Sequence, residues 1–429
     1  MSLKRPRIVV ALAASVLLAL GLTTYALAAG SSSSQAAPKC GLGTGKKATG
    51  APIKMGGIFT LVPGIDFTTI GKIANAYFKC VNDNGGINGR PISYKIYTEQ
   101  LKPEQEAALA RKLVESDKVV GVVGNTSLIE CGVNHAYYRQ QKYNLIIAGV
   151  PADCFGRPNI AAVNMGPRYS VIGAAQALVR AGCKGTMVIT SPAVVAEYAN
   201  GGAILVAEQA GLKTVSYGET LPITDPASLI QKYVQAAGTG GCIILDFTPE
   251  SAAPLMQAAK ALGVADDYIW GSSTPIADEA SAKVGSPDFD GRMYINSEFG
   301  LLTDKGPDMQ LYRAITKKYE PNVSIQSFGQ MGFLVGKFTT AALLSIRGEV
   351  TKESYNKAVK SLKNQKSDIL CKPWYFGNLP LHIPNNWDIT VTYKNGIVVA
   401  KEKCFAIASV DPQLVKTRAW EKQFKLNVG

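Results

Sequence analysis

The residues best suited to chemistry in this sequence lie in six loops, each of which follows a predicted β-strand. These loops cover residues 60–69, 125–129, 149–154, 191–198, 246–249 and 271–275. They carry hydroxyl groups, the carboxyl group of Asp246 and the aromatic rings of Phe67, Tyr198 and Phe247. In an open α/β sheet, small molecules bind beyond the carboxyl ends of the strands, where loops and helix N-termini present unpaired N–H groups. Groups of this kind hold a solute by hydrogen bonds and apolar contact.

Signatures of catalysis and of metal binding are missing from the sequence. It contains no Gly-x-Ser-x-Gly nucleophile elbow and no Walker phosphate loop. The two histidines, His135 and His382, lie in a predicted helix and in a proline-flanked loop, and neither has the setting of a catalytic triad. None of the eight cysteines has C-x-x-C spacing, which disfavours a zinc site. We therefore expect a protein that is not an enzyme and has no metal and no other cofactor.

Alternating strands and helices must position these loops. The apolar run IKMGGIF over residues 53–59 predicts a buried strand, and apolar residues recur at helical spacing over residues 70–81. The sequence NDNGG then ends the helix, and residues 92–97 predict a second strand. A strand, a helix and a strand in succession form a βαβ unit, whose usual setting is a parallel sheet.

The same alternation runs through the chain twice. The first pass predicts strands at residues 53–59, 92–97, 119–124, 145–148 and 161–164, with helices at 70–81, 103–116 and 133–142. The second predicts strands at 186–190, 213–217, 242–247, 268–271 and 293–296, with helices at 170–181, 198–210, 226–237 and 249–262. Helices at 308–319, 327–345 and 352–362 follow, and then antiparallel strands within 374–399 with turns at Asn385-Asn386 and Asn395-Gly396. Two passes joined by crossings predict two similar lobes with a cleft between them.

The first βαβ unit also resembles a known family. The sequence IKMGGIFTLVPG followed by NDNGGINGRPISYKIY is similar to the opening of the branched-chain amino-acid (Leu/Ile/Val-binding) class of periplasmic binding proteins. These are the type I solute receptors of ABC importers, in which a GGI-x-G-[RK] turn joins the first helix to the second strand. The order of elements extends the resemblance to about residue 300, and more loosely to about residue 400. It implies an α/β fold of two similar doubly wound lobes joined by a multi-strand hinge.

The two passes and the resemblance divide the chain into five parts. We expect a signal peptide over residues 1–28, a flexible tether over 29–52, a first lobe over 53–165 plus 298–370, a second lobe over 166–297 plus 371–410, and a C-terminal tail over 411–429. The tether is predicted because its segment is rich in Ser, Gly, Lys and Ala and has no apolar periodicity.

The N-terminus has the features of a targeting segment. Lys4, Arg5 and Arg7 precede an apolar run over residues 8–22, and the small residues of Ala26-Leu27-Ala28 suit signal peptidase. An uncleaved membrane anchor is the alternative. No later run is long and apolar enough to span a bilayer. We expect an exported protein that resides in the periplasm, in the cell envelope or outside the cell.

The chain is basic, with a formal net charge of +13, and removing residues 1–28 takes away three cations and no acids to leave +10. The lysines are scattered along polar helix faces and form no dense block, so a nucleic-acid partner is not expected. A basic surface close to the anionic polymers of a cell envelope is the simpler explanation.

Eight cysteines in an exported chain favour disulfides. Cys183 and Cys242 lie just before the apolar runs of two predicted strands, residues 186–190 and 243–247, and the starts of parallel strands share one edge of the sheet, so a bridge between them is sterically reasonable. The sequence does not determine the connectivity, and the positions of the elements favour the following pairs. They are Cys183–Cys242, Cys131–Cys154, Cys371–Cys404 and, by remainder, Cys40–Cys80.

Ligand-binding positions are implied by the resemblance. The loop at Ser127 and Leu128 and the loop from Val150 to Ala152 look like those that bind the ligand carboxylate in relatives. Ser127 would offer its hydroxyl group, and its neighbours their backbone N–H groups. Phe67 lies where an aromatic residue of the first loop often packs on the solute.

The second lobe departs from the family pattern. Tyr198 lies near an aromatic residue of relatives, and Phe247 near a position often held by tyrosine. Relatives that bind α-amino acids have an acidic residue in the loop that here reads Gly-Ser-Ser-Thr and includes Ser273. Asp246 is either a substitute partner for an ammonium group or a helix-capping aspartate. An unpaired ammonium in a closed cleft is costly, which disfavours a plain leucine-type ligand.

Three functions are compatible with these observations. The resemblance favours an extracytoplasmic solute-binding protein that captures an amino acid, an amide, or an aromatic or carboxylate compound and delivers it to the permease subunits of an ABC importer. A monomer is expected for such a receptor. An extracellular ligand-sensing module is the second hypothesis, and an exported hydrolase is the third.

Overall fold

The computed structural model describes residues 38–427. The signal peptide predicted over residues 1–28, and the tether as far as residue 37, lie outside the described residues. Within the described part, no helix is both long enough and apolar enough to cross a membrane.

Strands and helices alternate along most of the chain. The strands are β1 (Ile53–Val62), β2 (Ile65–Asp66), β3 (Ile92–Glu99), β4 (Gly121–Val122), β5 (Leu145–Ile147), β6 (Ile160–Ala162), β7 (Thr186–Pro192), β8 (Lys213–Glu219), β9 (Cys242–Leu245), β10 (Ile269–Ser272), β11 (Met293–Ser297), β12 (Trp387–Lys394), β13 (Ile397–Ala400) and β14 (Phe405–Ala406). The helices are α1 (Thr68–Asp83), α2 (Pro103–Arg111), α3 (Glu130–Gln140), α4 (Gly166–Arg180), α5 (Ala196–Gln209), α6 (Pro226–Ala237), α7 (Pro249–Ala261), α8 (Glu279–Gly285), α9 (Pro307–Tyr319), α10 (Ser327–Ser345), α11 (Lys352–Ser361) and α12 (Pro412–Phe424).

Two sheets with the same strand order form the two lobes. In the first, β3, β1 and β4 are parallel neighbours, and a bridge between Val123 and Ile146 leads on to the parallel pair β5 and β6. In the second, β8, β7, β9, β10 and β11 are parallel neighbours in that order. Numbered along the chain, the five parallel strands of each lobe lie in the order second, first, third, fourth, fifth. This repeated order confirms the predicted fold of two similar doubly wound lobes.

Helix α10 packs closely against α1 in the first lobe. The two helices approach so closely at Gly332 that a Cβ atom there would lie 2.3 Å from the carbonyl oxygen of Ile70. Only glycine fits this position without displacing α1. The contact explains how a segment more than 240 residues after α1 returns to the first lobe.

The chain crosses between the lobes three times, after β6, after β11 and before β12. The side chain of Asn385 ties these crossings together, because its amide nitrogen donates to the carbonyl oxygens of Val163 (3.2 Å) and Glu298 (3.3 Å). The carboxylate of Glu298 in turn accepts a hydrogen bond from the backbone N–H of Met165. These contacts form the hinge.

The turn predicted at Asn385-Asn386 is wrong. Asn385 and Asn386 are both buried, and only the predicted turn at Asn395-Gly396 joins two paired strands, β12 and β13. Residues 374–386, predicted as part of an antiparallel region, contain no strand. The amide groups of both asparagines bond to other segments, which a surface hairpin turn would not allow.

The second half of the predicted tether is a packed segment. Cys40 is bonded to Cys80 of α1, and the backbone N–H of Ala48 donates to the carbonyl oxygen of Asn82 at 2.8 Å. The side chain of Asn84 also donates to the carbonyl oxygen of Pro38. Residues 38–52 therefore lie against the end of α1, which composition alone does not reveal.

Two helices, α8 and α12, are not predicted from the sequence. Helix α8 has only seven residues, too few to show a helical period. Helix α12 lies within the predicted C-terminal tail, and the carboxylate of Asp411 caps it by accepting from the N–H groups of Gln413 and Leu414. Asp411 also pairs with Arg168 of α4 at 2.8 Å, which fastens the tail to the second lobe.

All eight cysteines form disulfides in the pairs that the positions of the elements favour. Their Cα–Cα distances lie between 5.2 and 5.7 Å, within the ordinary range for disulfides. Cys183 and Cys242 join the entrance of β7 to that of β9, and so close a loop across the second sheet.

A buried cluster of carboxyl groups supports the loop after β4. Glu99, Glu106 and Glu130 have at most 1% of their surfaces exposed. The hydroxyl group of Ser127 donates to Glu99 at 2.9 Å and accepts from the backbone N–H of Glu130, so it links the cluster to the start of α3. Burial, with the charges of the neighbouring carboxyls, raises the pKa of Glu106, and burial raises that of Glu130. One oxygen of Glu106 has no hydrogen-bond partner among the described residues.

We expect the Cys183→Ala/Cys242→Ala double variant to lower the free energy of unfolding by about 2–4 kcal/mol, because the lost bridge restores the entropy of a long loop to the unfolded chain. Urea unfolding under oxidising conditions measures the difference. The exposed neighbouring variant Lys184→Ala serves as the control and should change stability by less than about 0.5 kcal/mol. Equal stability of the double variant and the wild type would show that the bridge does not constrain the unfolded chain.

We expect stability to fall as pH rises from about 5 to 9, in part because of Glu106. Its folded-state pKa lies above the ordinary value, so the unfolded chain loses this proton at lower pH than the folded chain does. The neutral variant Glu106→Gln should therefore be less sensitive to alkaline pH, with a relative gain of roughly 2 kcal/mol at pH 8. Urea midpoints at pH 5, 7 and 9 test this. Glu104→Gln on the exposed face of the same helix is the matched control, and a pH profile of Glu106→Gln identical to that of the control contradicts the prediction.

Candidate functional site

The ends of the parallel strands in the two lobes face one another across a cleft. The space between the walls of the cleft, including the solvent at its open mouth, is about 640 Å³. The first lobe contributes the loops after β1, β4 and β5 and the start of α10, and the second lobe contributes the loops after β7, β9 and β10. The crossings form its floor, through Asn164, Gly166 and Glu298. This is the position that the strand-end rule predicts for a small-molecule site.

Most of the cleft wall is apolar and aromatic. Phe67, just before α1, meets Phe328 of α10 edge to face, with ring centroids 5.5 Å apart. Phe247 faces them from the second lobe, and Met331 and Val195 add further apolar surface. Walls of this kind bind the hydrophobic part of a small molecule.

Six of the nine predicted site residues line this cleft together. They are Phe67, Leu128, Val150, Asp246, Phe247 and Ser273. Phe67 is held in place because Asp66 accepts hydrogen bonds from the backbone N–H and hydroxyl of Thr68, which begins α1. The loop of Val150 is held by Asn164, whose side chain bonds to both the N–H and the carbonyl of Gly149.

Ser127, Ala152 and Tyr198 do not line the cleft. The hydroxyl of Ser127 points into the buried carboxyl cluster, where it bonds to Glu99, so Ser127 holds the shape of the loop that presents Leu128. Ala152 is exposed on a short 3-10 turn.

Tyr198 faces the body of the second lobe. The guanidinium group of Arg168 lies 5.5 Å from its ring centroid and donates to its carbonyl oxygen at 2.9 Å. Val195, nearly one helical turn earlier, takes the place in the cleft wall that Tyr198 was expected to fill. Val195 is the N-cap residue before α5 and has non-helical backbone angles, so the helical rule that places residues three apart on one face does not hold between Val195 and Tyr198.

Asp246 lies in the cleft wall at the end of β9, and only 5% of its surface is exposed. The hydroxyl group of Ser273 donates to one of its oxygens. Thr248 occupies the N-cap position of α7, and Asp246 accepts no hydrogen bond from that helix among the described residues, so the capping alternative is not observed. Burial raises the pKa of Asp246 to about 7.

Glu298 is a cleft residue that the sequence did not single out. It follows β11 directly, so the strand-end rule that selected Asp246 applies to it as well. The sequence predicts a crossing between lobes after this strand, so Glu298 is not expected to lie in the cleft. Burial raises the pKa of Glu298 to about 8, while the N–H of Met165 and the hydroxyl of Thr274 favour its charged form.

No lysine, arginine or histidine is among the described residues that line the cleft. The nearest basic side chain of α4, Arg168, is engaged with Asp411 on the other side of the helix start. His382 is buried elsewhere, where its Nδ1 lies 2.9 Å from the carbonyl oxygen of Ile160, and burial lowers its pKa to about 4. Within residues 38–427, no cluster of His, Cys, Asp and Glu is arranged to hold a metal ion.

Hydrogen bonds between the lobes close one side of the mouth. The hydroxyl groups of Thr248 and Ser251, at the start of α7, both donate to the carbonyl oxygen of Gly64, at 2.8 and 3.1 Å. Gly64 lies in the turn between β1 and β2 and has φ +84°, a conformation that favours glycine. These bonds exist only when the lobes are close together.

Comparison with known proteins gives the same fold and a family. A model of the family described as "periplasmic binding protein" matches residues 53–382. No curated protein matches the sequence closely enough to count as a relative.

Several solved structures share the architecture at low sequence identity. A branched-chain amino acid ABC transporter protein from Thermus thermophilus with bound valine has a TM-score of 0.72 at 14% identity, covering 87% of this chain and 100% of that one. A fatty acid ABC transporter substrate-binding protein from Thermomonospora curvata has a TM-score of 0.69 at 19% identity, covering 86% and 96%. A solute-binding protein of an ABC transporter from R. palustris in complex with benzoate has a TM-score of 0.66 at 16% identity, covering 85% and 99%.

These likenesses establish the fold, and the family model covers most of the chain. The chain belongs to the periplasmic binding protein family.

Proposed function

We propose that this protein is an extracytoplasmic receptor that captures a small molecule in the cleft between its lobes and delivers it to the permease of an ABC importer. The observation that carries the proposal is the cleft itself, where strand-end loops of two similar lobes meet around an aromatic wall and a few polar groups. The lobes are proposed to comprise residues 53–165 plus 298–370 and residues 166–297 plus 371–410. The solute leaves chemically unchanged, and the receptor acts as a monomer.

Hinge closure gives such a receptor its affinity. When the lobes close, water leaves the cleft and each hydrogen bond to the solute gains strength in the less polar surroundings. The bonds from Thr248 and Ser251 to Gly64 stabilise the closed arrangement directly. A closed and an open form also give a membrane partner two shapes to distinguish, which supports delivery to a permease.

A screen of solutes tests the proposal. The mature protein is mixed with amino acids, amides, amines, aromatic acids and fatty acids, and its melting temperature is measured. A solute that binds only the folded protein raises the melting temperature by mass action. We expect at least one class to raise it and to be recovered unchanged after incubation. A panel without any stabilising solute, or a hit that is hydrolysed during incubation, contradicts the proposal.

We expect Phe67→Leu to weaken binding of the best solute by about three- to tenfold, because the smaller side chain leaves part of the aromatic wall unfilled. Calorimetric titration measures the dissociation constant. Phe289→Leu is the matched control, since Phe289 is a fully buried residue of the second lobe outside the cleft wall. Both variants should lose stability, and only the cleft variant should lose affinity. Equal affinities of the two would remove Phe67 from the site.

We expect the Thr248→Val/Ser251→Ala variant to release the solute about five- to thirtyfold faster, because the closed form loses two hydrogen bonds of roughly 1 kcal/mol each. Stopped-flow fluorescence measures the dissociation rate. The conservative variant Thr248→Ser/Ser251→Thr keeps both hydroxyl groups and should stay close to the wild type. An unchanged rate in the first variant would show that these bonds do not hold the lobes together.

A further inference from the structure

We propose that the solute of this receptor is a small organic cation, an amine with an apolar body, whose charged group lies between Asp246 and Glu298. This inference rests on the proposed function and names the chemical class of the solute. It is carried by the set of charged groups that face the cleft, together with its aromatic wall.

Two carboxyl groups face the cleft, and no basic side chain among its described lining residues balances them. Asp246 and Glu298 have 5% and 2% of their surfaces exposed, so what remains accessible opens toward the cleft. Ser273 is the only described side chain that donates to Asp246, and its second oxygen accepts no hydrogen bond from the described residues. A carboxyl oxygen that has no donor and faces the cleft can accept a hydrogen bond from a ligand.

An anionic solute would meet these two carboxyl groups without a basic side chain to offset the repulsion. The N-termini of α1, α4, α7 and α10 lie near the cleft, and their partial positive charges favour anions in general. At two of these helix N-termini, a carboxyl group of the protein already accepts a hydrogen bond from a backbone N–H. Asp66 accepts from the N–H of Thr68 at the start of α1, and Glu298 accepts from the N–H of Met165, the N-cap of α4. The N–H of Met165 favours the charged form of Glu298, and the N–H groups that bond to these carboxyl groups are not available to an anionic solute.

The aromatic residues of the wall favour a cation as well. Phe67, Phe247 and Phe328 present rings to the same space from both lobes. The face of an aromatic ring attracts an ammonium group, and the attraction is strongest where water is excluded. An apolar body would pack against Met331 and Val195.

The carboxyl groups also make binding sensitive to pH. Burial raises the pKa of Asp246 to about 7 and that of Glu298 to about 8, and the charge of Asp246 also raises the pKa of Glu298. Among the other titratable groups, Asp388 is affected by the charge of Glu298, and Arg168 at the start of α4 is paired with Asp411. An alkylamine keeps its proton between pH 6 and 8, so it binds best when the carboxyls are ionised. Its affinity should rise through this window, and binding should release protons.

Three compounds of similar size, each with one phenyl ring, test the inference by calorimetric titration at pH 6, 7 and 8. They are benzylamine, benzyl alcohol and benzoate, and the corresponding isobutyl series repeats the test with a smaller body. We expect the amine to bind at least tenfold more tightly than the alcohol and the carboxylate of the same series at pH 8. Its affinity should rise at least fivefold from pH 6 to 8, and its heat should change with the ionisation enthalpy of the buffer.

Variants then identify the groups responsible. Asp246→Asn and Glu298→Gln should each weaken the amine at least tenfold and flatten its pH dependence, while affinity for the alcohol changes less than threefold, which shows that the cleft is intact. Asp267→Asn, an exposed acid of the second lobe, is the matched control and should behave as the wild type does.

The outcomes separate the two proposals. If the alcohol or the carboxylate binds more tightly than the amine, or if the affinity for the amine falls as pH rises, the solute is not an organic cation. The proposed receptor function is unaffected by these two outcomes. The same holds if neither amine binds and another solute of the wider screen does. If no solute of any class binds, the receptor function fails together with the inference.

Discussion

The two lobes are held together by hydrogen bonds among the chain segments that cross between them. Asn385 joins the first and second crossings through their carbonyl oxygens, and Glu298 accepts the N–H that precedes α4. Each of these groups is buried, so each would carry a desolvation cost if its partner moved away. The strand ends of the two sheets face one another because these crossings allow few other arrangements. The position of the cleft follows from this constraint.

Glu298 shows how the hinge and the site share a residue. Its backbone carbonyl accepts from Asn385, its carboxylate accepts from Met165, and the same carboxyl group lies at the floor of the cleft. A charged or hydrogen-bonding solute near this group therefore acts on the segment about which the lobes turn. In the proposed function, Glu298 alone could couple solute binding to lobe closure. A ligand shifts an equilibrium between two conformations through contacts that differ between them.

The predicted elements and the structure agree where the signal is local. The apolar period over residues 70–81 lies within α1, and the strand runs that begin at residues 53 and 92 begin β1 and β3 at the same residues. The Cys183–Cys242 pair also agrees with its prediction, which followed from the rule that the strands of a parallel sheet all begin at one edge. The turn predicted at Asn385-Asn386 is wrong, although two successive asparagines are typical of a turn. The amide of Asn385 donates to carbonyl groups of two distant segments, and that of Asn386 donates to the carboxylate of Glu421, which no local pattern records.

The residues of the candidate site show the same difference between local sequence patterns and contacts that depend on the tertiary structure. The amino-acid sequence by itself determined the alternation of strands and helices and the six loops that could bind a solute, because strand and helix periods reflect local backbone geometry. The resemblance of the sequence to a known family then pointed to residues within these loops, six of which meet in the cleft. Only the tertiary structure decided that Ser127 turns toward Glu99, that Tyr198 faces Arg168, and that Glu298 joins Asp246 in a cleft without a basic side chain among its described lining residues. The direction of a side chain in a loop, and the charges that surround it, depend on packing between residues far apart in the chain. That information is absent from any short stretch of sequence.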